Sequence, residues 1–277
     1  FAIAHRTSPT NIGLLLTSTL AAYDFGYTGL LDLATRLQAT FETLDQLEHY
    51  RGHLLNWYDT ESLAPLAPRY VSTVDSGNLA GCLIVIEQAC LAFPDALVLR
   101  PQRWQGLLDT LGLVEARLEK LYGESQDETM VALRAFMLSL RQRIQAVSYA
   151  PQYWAALLAK LNREDWSELS RLIVAVFESE AISANVQILS EIRITSERLH
   201  HHLITMQRDM DVFLPWLMAL NQPPALFAQP DVDPRITAAW KDVLAALPES
   251  PHLCEVPSIC ETASERLRSL QAQLEIE

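Results

Sequence analysis

The chain has 277 residues, 49% of them hydrophobic and 20% charged, which excludes a disordered protein and supports a substantial buried core. Its formal net charge of −13 excludes nucleic acid as the main partner, because phosphate binding needs clustered Lys and Arg. A neutral ligand such as a sugar is compatible with that surface.

The first predicted helix has a legible start: in RTSPTNIGLLL, Ser8 is placed to cap and Pro9 to fill the first helical position. It runs to about residue 23, and DFGYTG makes a turn. A second helix is predicted over 28–50, with Leu30, Leu31, Leu33, Leu37, Phe41, Leu44 and Leu47 on one broad face. A long connection follows, and then a third helix over 76–91, apolar nearly all round and therefore predicted to be deeply buried.

Beyond the PDALVLRP break the pattern changes to heptad spacing. Trp104, Leu107, Leu111, Val114, Leu118 and Leu121 form one seam, and Met130, Leu133, Met137, Leu140, Ile144 and Val147 a second. The second is preceded by a Ser125…Glu128 capping box. The longest seam runs through Leu189, Ile192, Ser196, Leu199, Leu203, Met206, Met210, Phe213 and Leu217, with Pro215 disturbing its end. A last helix carries Ile259, Leu267, Leu270 and Leu274. Such seams mark long helices packed at shallow angles, and no strand signal is evident. The expectation is an all-α chain in two parts, 1–99 compact and rich in special loops, 100–277 a long-helix, coiled-coil-like bundle.

The chain holds 4 cysteines, Cys82, Cys90, Cys254 and Cys260. They lack CxxC spacing and read as free thiols in packed surroundings, consistent with a reducing compartment. No apolar run is expected to reach the ~20 residues that cross a bilayer, and no signal peptide is visible. The start at Phe1 and the end inside helical periodicity suggest a soluble piece of a longer protein, prone to self-association through an uncovered apolar face.

No Gly-rich phosphate loop, nucleophile elbow or zinc signature is present, and no cofactor or metal is expected. His200, His201 and His202 are consecutive on a helix, so their side chains diverge by about 100° and cannot converge on one ion. Glu115, Glu119, Glu191 and Glu197 read as ordinary exposed charges. The unusual chemistry sits in NWYDTESLAPLAPRYVSTVDSGNLAG, which crowds Asn56, Trp57, Tyr58, Asp59, Arg69, Tyr70, Ser72, Asp75 and Asn78 together. Aromatic faces, amides and carboxylates suit a sugar's apolar faces and hydroxyl edges. A purely structural reading competes, in which Asp75 caps the third helix, the amides stabilise turns and the aromatics are core.

Three strings, RTSPTNIGLLLTSTLAAYDFGYTGLLDL, HLLNWYDTESLAPLAPRYVSTVDSGNLAG and LHHHLITMQRDMDVFLPW, resemble the glucoamylase-like region of bacterial cyclic β-1,2-glucan synthases. The resemblance implies that 1–99 holds the first helices of an (α/α)6 barrel and that 100–277 is a helical insertion. It also implies an activity: ring closure of β-1,2-glucan by intramolecular transglycosylation, within an inner-membrane synthase that presents this region to the cytoplasm. By the same resemblance Arg6, Thr10, Asn11, Asn56, Trp57, Tyr58, Asp59, Arg69, Tyr70, Ser72, Asp75 and Asn78 would bind β-1,2-glucan. The family's catalytic carboxylates are expected in the later half of the barrel, so no catalytic residue is assigned and this chain alone is expected to be inactive. The alternative is a helical scaffold whose seams dock other domains of a large enzyme.

Overall fold

The computed structural model of the chain describes residues 4–123, 127–178, 186–221, 224, 227 and 233–275. It is all-α apart from short two-residue strands, and it divides into two compact units, Phe1–Pro94 and Asp95–Glu277.

In the first unit, strand β1 (Arg6–Thr7) leads into helix α1 (Pro9–Asp24), with Ser8 accepting from the Asn11 N–H as its cap and Pro9 in the first turn. Helix α2 (Leu30–Gln46) is shorter than the predicted 28–50. Leu47 turns extended at its C-cap, and the chain enters a hairpin of β2 (His49–Tyr50) and β3 (His53–Leu54). The turn residues Arg51 and Gly52 both take positive φ, 51° and 83°, the combination a two-residue hairpin turn requires. Strand β4 (Tyr58–Asp59) pairs antiparallel with β1, Arg6 opposite Asp59 and Thr7 opposite Tyr58. These strands correct the expectation of none, being too short for alternation to show.

Helix α3 (Thr73–Ala92) starts earlier than predicted, because Ser72 caps it by accepting from the Asp75 N–H at 3.2 Å; Asp75 lies in its first turn. It packs on α1 so closely that a Cβ on Gly13 would lie 2.9 Å from Cys82 Sγ. Ile12, Leu16, Leu20 and Tyr23 of α1 share a core with Leu33 and Leu37 of α2, Leu54, Leu55, Tyr58 and Ile86.

Deep burial of α3 is not what the structure shows. Ile86 is its one buried residue, while Val74, Ile84 and Leu91 stand 71%, 59% and 67% exposed. Its lack of an amphipathic pattern reflects apolar side chains left uncovered rather than enclosure on every side. Thr73–Asp95, with mean hydropathy 1.4, is long and apolar enough to cross a membrane by length and composition, which corrects the expectation that no such run exists. Its packing against α1 and the polar contacts of its first turns are those of a packed helix.

The second unit follows the predicted seams closely. Helices α4 (Pro101–Tyr122), α5 (Glu128–Val147), α6 (Trp154–Lys160), α7 (Trp166–Glu178) and α8 (Val186–Phe213) bury Trp104, Leu107, Leu111, Val114 and Leu118 with Met130, Leu133, Met137, Leu140 and Ile144. Ile192, Ser196, Leu199, Leu203, Met206 and Met210 of α8 are buried as well, with Ile188 rather than Leu189 opening the stripe. A π turn, Leu161–Asp165, joins α6 to α7 and buries Asp165, whose two oxygens accept from Arg143 at 2.9 Å each. After α9 (Leu217–Asn221), α10 (Pro234–Ala245) packs on α11 (Val256–Glu275). Ser125 of the predicted capping box lies outside the described residues, as does most of the NQPPALFAQPDVDP connection.

Two further expectations change. Glu119 and Glu197 are exposed as expected, whereas Glu115 and Glu191 are half-buried; each of the four pairs with an arginine, Glu115 with Arg141, Glu119 with Arg134, Glu191 with Arg117 and Glu197 with Arg193. The cysteines are free, but only Cys82 is half-buried, while Cys90, Cys254 and Cys260 are exposed rather than packed.

Candidate functional site

The connection between β3 and α3 folds back on itself. The Asn56 N–H donates to the Tyr70 carbonyl at 2.8 Å, the Leu66 N–H to the Trp57 carbonyl at 2.8 Å, and the Asp59 N–H to the Ala64 carbonyl at 2.9 Å. This folding places Asn56 beneath its neighbours, 6% exposed. Its surroundings fix its amide orientation: an indole N–H only donates and an ionised carboxylate only accepts. Asn56 therefore donates to Asp75 Oδ2 at 3.3 Å and accepts from Trp57 Nε1 at 2.7 Å and from the Tyr70 hydroxyl at 2.8 Å.

Asp75 is the second node. Its Oδ1 accepts from Thr10 Oγ1 at 2.5 Å, and Thr10 Oγ1 accepts in turn from Asn78 Nδ2 at 3.0 Å. Hydrogen bonding by Ser72 and then by Thr10 holds the Asp75 carboxyl below the usual carboxylate range. A continuous polar chain thus links the first turns of α1 and α3 to the folded connection. Arg6, brought in by the β1–β4 pairing, lies 4.9 Å from the Trp57 ring centroid, a cation–π distance.

The structure therefore brings together Thr10, Asn56, Trp57, Tyr70, Asp75 and Asn78, with Arg6 on the Trp57 ring. The other residues named from the sequence have different positions. Tyr58 is fully buried; its hydroxyl accepts from the Leu55 N–H at 2.7 Å and donates to the Glu48 carbonyl at 2.6 Å. Burial pushes its pKa up, and the ring has no surface to offer a ligand. Asp59 closes a turn, accepting from the N–H groups of Glu61 and Ser62 at 3.1 and 2.8 Å and from Ser62 Oγ at 2.8 Å. The bonds from Ser62 lower its pKa. Arg69 is ion-paired with Glu48, Ser72 serves as the α3 cap, and Asn11 is exposed on the first turn of α1. Glu48 is the participant that sequence reading missed: it lies 21 residues before Arg69, and no local pattern links the two.

The histidine triplet behaves as helix geometry demands. His200 stacks on Trp166 with ring centroids 4.1 Å apart, His201 is exposed, and His202 is buried. Among the described residues no group of three or more His, Cys, Asp or Glu is arranged to hold a metal.

No family model matches the chain. Over 192 residues, 69% of its length, it is 38% identical to the cyclic beta-(1,2)-glucan synthase NdvB of Rhizobium meliloti (strain 1021). The chain spans 6% of that protein's length. It is therefore a relative of the cyclic β-(1,2)-glucan synthases, corresponding to a short stretch of one.

Proposed function

We propose that the first unit supplies part of a glucan-binding rim, and that this rim serves ring closure of β-1,2-glucan by intramolecular transglycosylation within a cyclic β-1,2-glucan synthase. The observation that carries the reading is the convergence of Trp57, Tyr70 and Asp75 on the buried amide of Asn56, extended through Asp75 to Thr10 and Asn78. Such a set offers hydroxyl partners and an aromatic edge on a pre-organised frame, and pre-organisation limits the entropy lost on binding. Closing a ring requires a sugar hydroxyl to outcompete water in attacking a glycosyl intermediate. A rim that grips the chain raises the acceptor's effective concentration.

The rim does not supply the catalytic acid. A glycosidic acid needs its proton held at neutral pH, whereas Asp59 and Asp75 are both pushed toward ionisation by the hydrogen bonds they accept. By the resemblance the catalytic carboxylates are expected elsewhere in the synthase, and the whole protein would work at the inner membrane with this region facing the cytoplasm. The alternative of a docking scaffold rested on the heptad seams. Those seams are consumed in the second unit's own core, which leaves that reading with less support.

The test is the affinity of a linear β-1,2-linked gluco-oligosaccharide for the 277-residue chain and for Tyr70→Ala and Asn78→Ala. Each variant is expected to bind about tenfold more weakly, the loss of one or two hydrogen bonds. Unchanged affinity in both variants would overturn the rim.

A further inference from the structure

We infer that the Tyr70 hydroxyl acts on a ligand as a hydrogen-bond acceptor only, and that the buried Asn56 is the positioning residue that imposes this polarity. The inference rests on reading the Asn56 cluster as the ligand-binding rim. A tyrosine hydroxyl ordinarily donates and accepts, so an exposed one leaves the polarity of its ligand contact open. Here the choice is removed in steps. Trp57 Nε1 can only donate, and it meets the Asn56 oxygen at 2.7 Å. The Asn56 nitrogen faces Asp75 Oδ2 at 3.3 Å, and Asp75 already accepts the Thr10 proton on its other oxygen. The Asn56 oxygen is thereby fixed toward Tyr70 as well, at 2.8 Å.

Tyr70 has one proton, and it is committed to that oxygen. The residue as a whole is nevertheless 49% exposed, and to any ligand that reaches its hydroxyl only lone pairs are left. On the other arm of the chain the Thr10 proton is committed to Asp75, so Asn78 must turn its nitrogen to Thr10. The protons of both arms run inward toward the Asp75 carboxylate. A sugar hydroxyl meeting Tyr70 must therefore be the donor, and a group that can accept but not donate gains nothing there.

Paired analogues of a β-1,2-linked glucose trisaccharide test this, each with one hydroxyl replaced by hydrogen or by fluorine. A C–F group cannot donate a proton, but it keeps the polarity and roughly the size of a hydroxyl that accepts. Affinities are measured by calorimetry on the full 277-residue chain and on Tyr70→Phe. The hydroxyl that meets Tyr70 is the one whose removal weakens binding to the wild type but not to Tyr70→Phe. At that position the fluoro analogue is expected to be as weak as the deoxy analogue, about fivefold to tenfold below the parent. A fluoro analogue that binds like the parent would overturn the inference, as would parent binding with no position coupled to Tyr70. Absence of binding by the parent trisaccharide overturns the rim itself, a distinct result.

Asn56→Leu supplies the positioning readout. Once its fixed acceptor is gone, the Tyr70 proton is released, and the fluoro analogue should recover relative to the deoxy one. A merely structural role for Asn56 would weaken every analogue alike. The comparison of wild type with Tyr70→Phe stands on its own if Asn56→Leu does not fold.

Discussion

Tyr58 shows how one residue can be legible as a type and not as a role. Its neighbours Asn56, Trp57 and Asp59 give the sequence the look of a ligand-facing group, yet its side chain is the anchor beneath them. The hydroxyl joins the Leu55 N–H and the Glu48 carbonyl. Tyr58→Phe leaves both without their partner in a buried setting, so a loss of ~1–3 kcal/mol in urea unfolding is expected, with the fold retained. His202 is the second informative residue. Burial, with Arg103 close by, pushes its pKa from 6.5 down to about 3, and its Nε2 has no hydrogen-bond partner among the described residues. The folded state therefore keeps His202 neutral while the unfolded chain takes up a proton below pH 6.5. Stability present above that pH is lost as the pH falls toward the folded value, at up to ~1.4 kcal/mol per pH unit. His202→Gln is expected to flatten the curve of unfolding free energy against pH between about 6 and 4. Equal slopes in both proteins would contradict the assignment.

At the scale of elements, the second unit was the more legible half. Heptad spacing reports which side of a helix is covered, and Trp104 through Leu118, Met130 through Ile144 and Ile192 through Met210 are covered as that spacing requires. The first unit was legible at its caps, Ser8 above all, but not in the burial of α3. An unbroken apolar helix carries no directional signal, so sequence alone cannot say which of its sides meets a neighbour. Contact with α1 is extensive and includes one especially close approach. Gly13 has Cys82 Sγ, Cys82 Cβ and the Leu79 backbone within 3.4 Å of where a Cβ would stand. Gly13→Ala must push the two helices apart or displace Cys82, and is expected to lower stability by ~1–3 kcal/mol. Gly13→Ala with Cys82→Ala, which removes the sulfur, should recover part of that loss in the same denaturation experiment. No recovery would mean that the helices are not held at this point.

For the whole molecule, the relationship to a cyclic β-(1,2)-glucan synthase was carried by wording in both units, two strings in the first and one in the second, while the chemistry of the first-unit wording became clear only in three dimensions. Thr10 and Asp75 are 65 positions apart, and Asn78 and Thr10 are 68 apart; spacing along the chain does not reveal such pairs. Once folded, about half of the residues named from the sequence form one polar chain; Ser72, Tyr58, Asp59 and Arg69 cap, anchor, turn or ion-pair the frame that holds it, Arg6 lies on the Trp57 ring, and Asn11 stands exposed. The two units differ in what they hold: the Asn56 cluster lies within Phe1–Pro94, and the long helices of Asp95–Glu277 spend their apolar seams on their own core. The most direct measurement is a titration of the 15N-labelled chain with a linear β-1,2-linked gluco-oligosaccharide, followed by side-chain and backbone chemical shifts. Saturable shifts at the Trp57 indole N–H, the Asn78 amide and the Tyr70 backbone, with the resonances of α4 to α8 unmoved, are the expected result. Shifts confined to the second unit, or none at saturating oligosaccharide, would contradict a glucan-binding role for the Asn56 cluster.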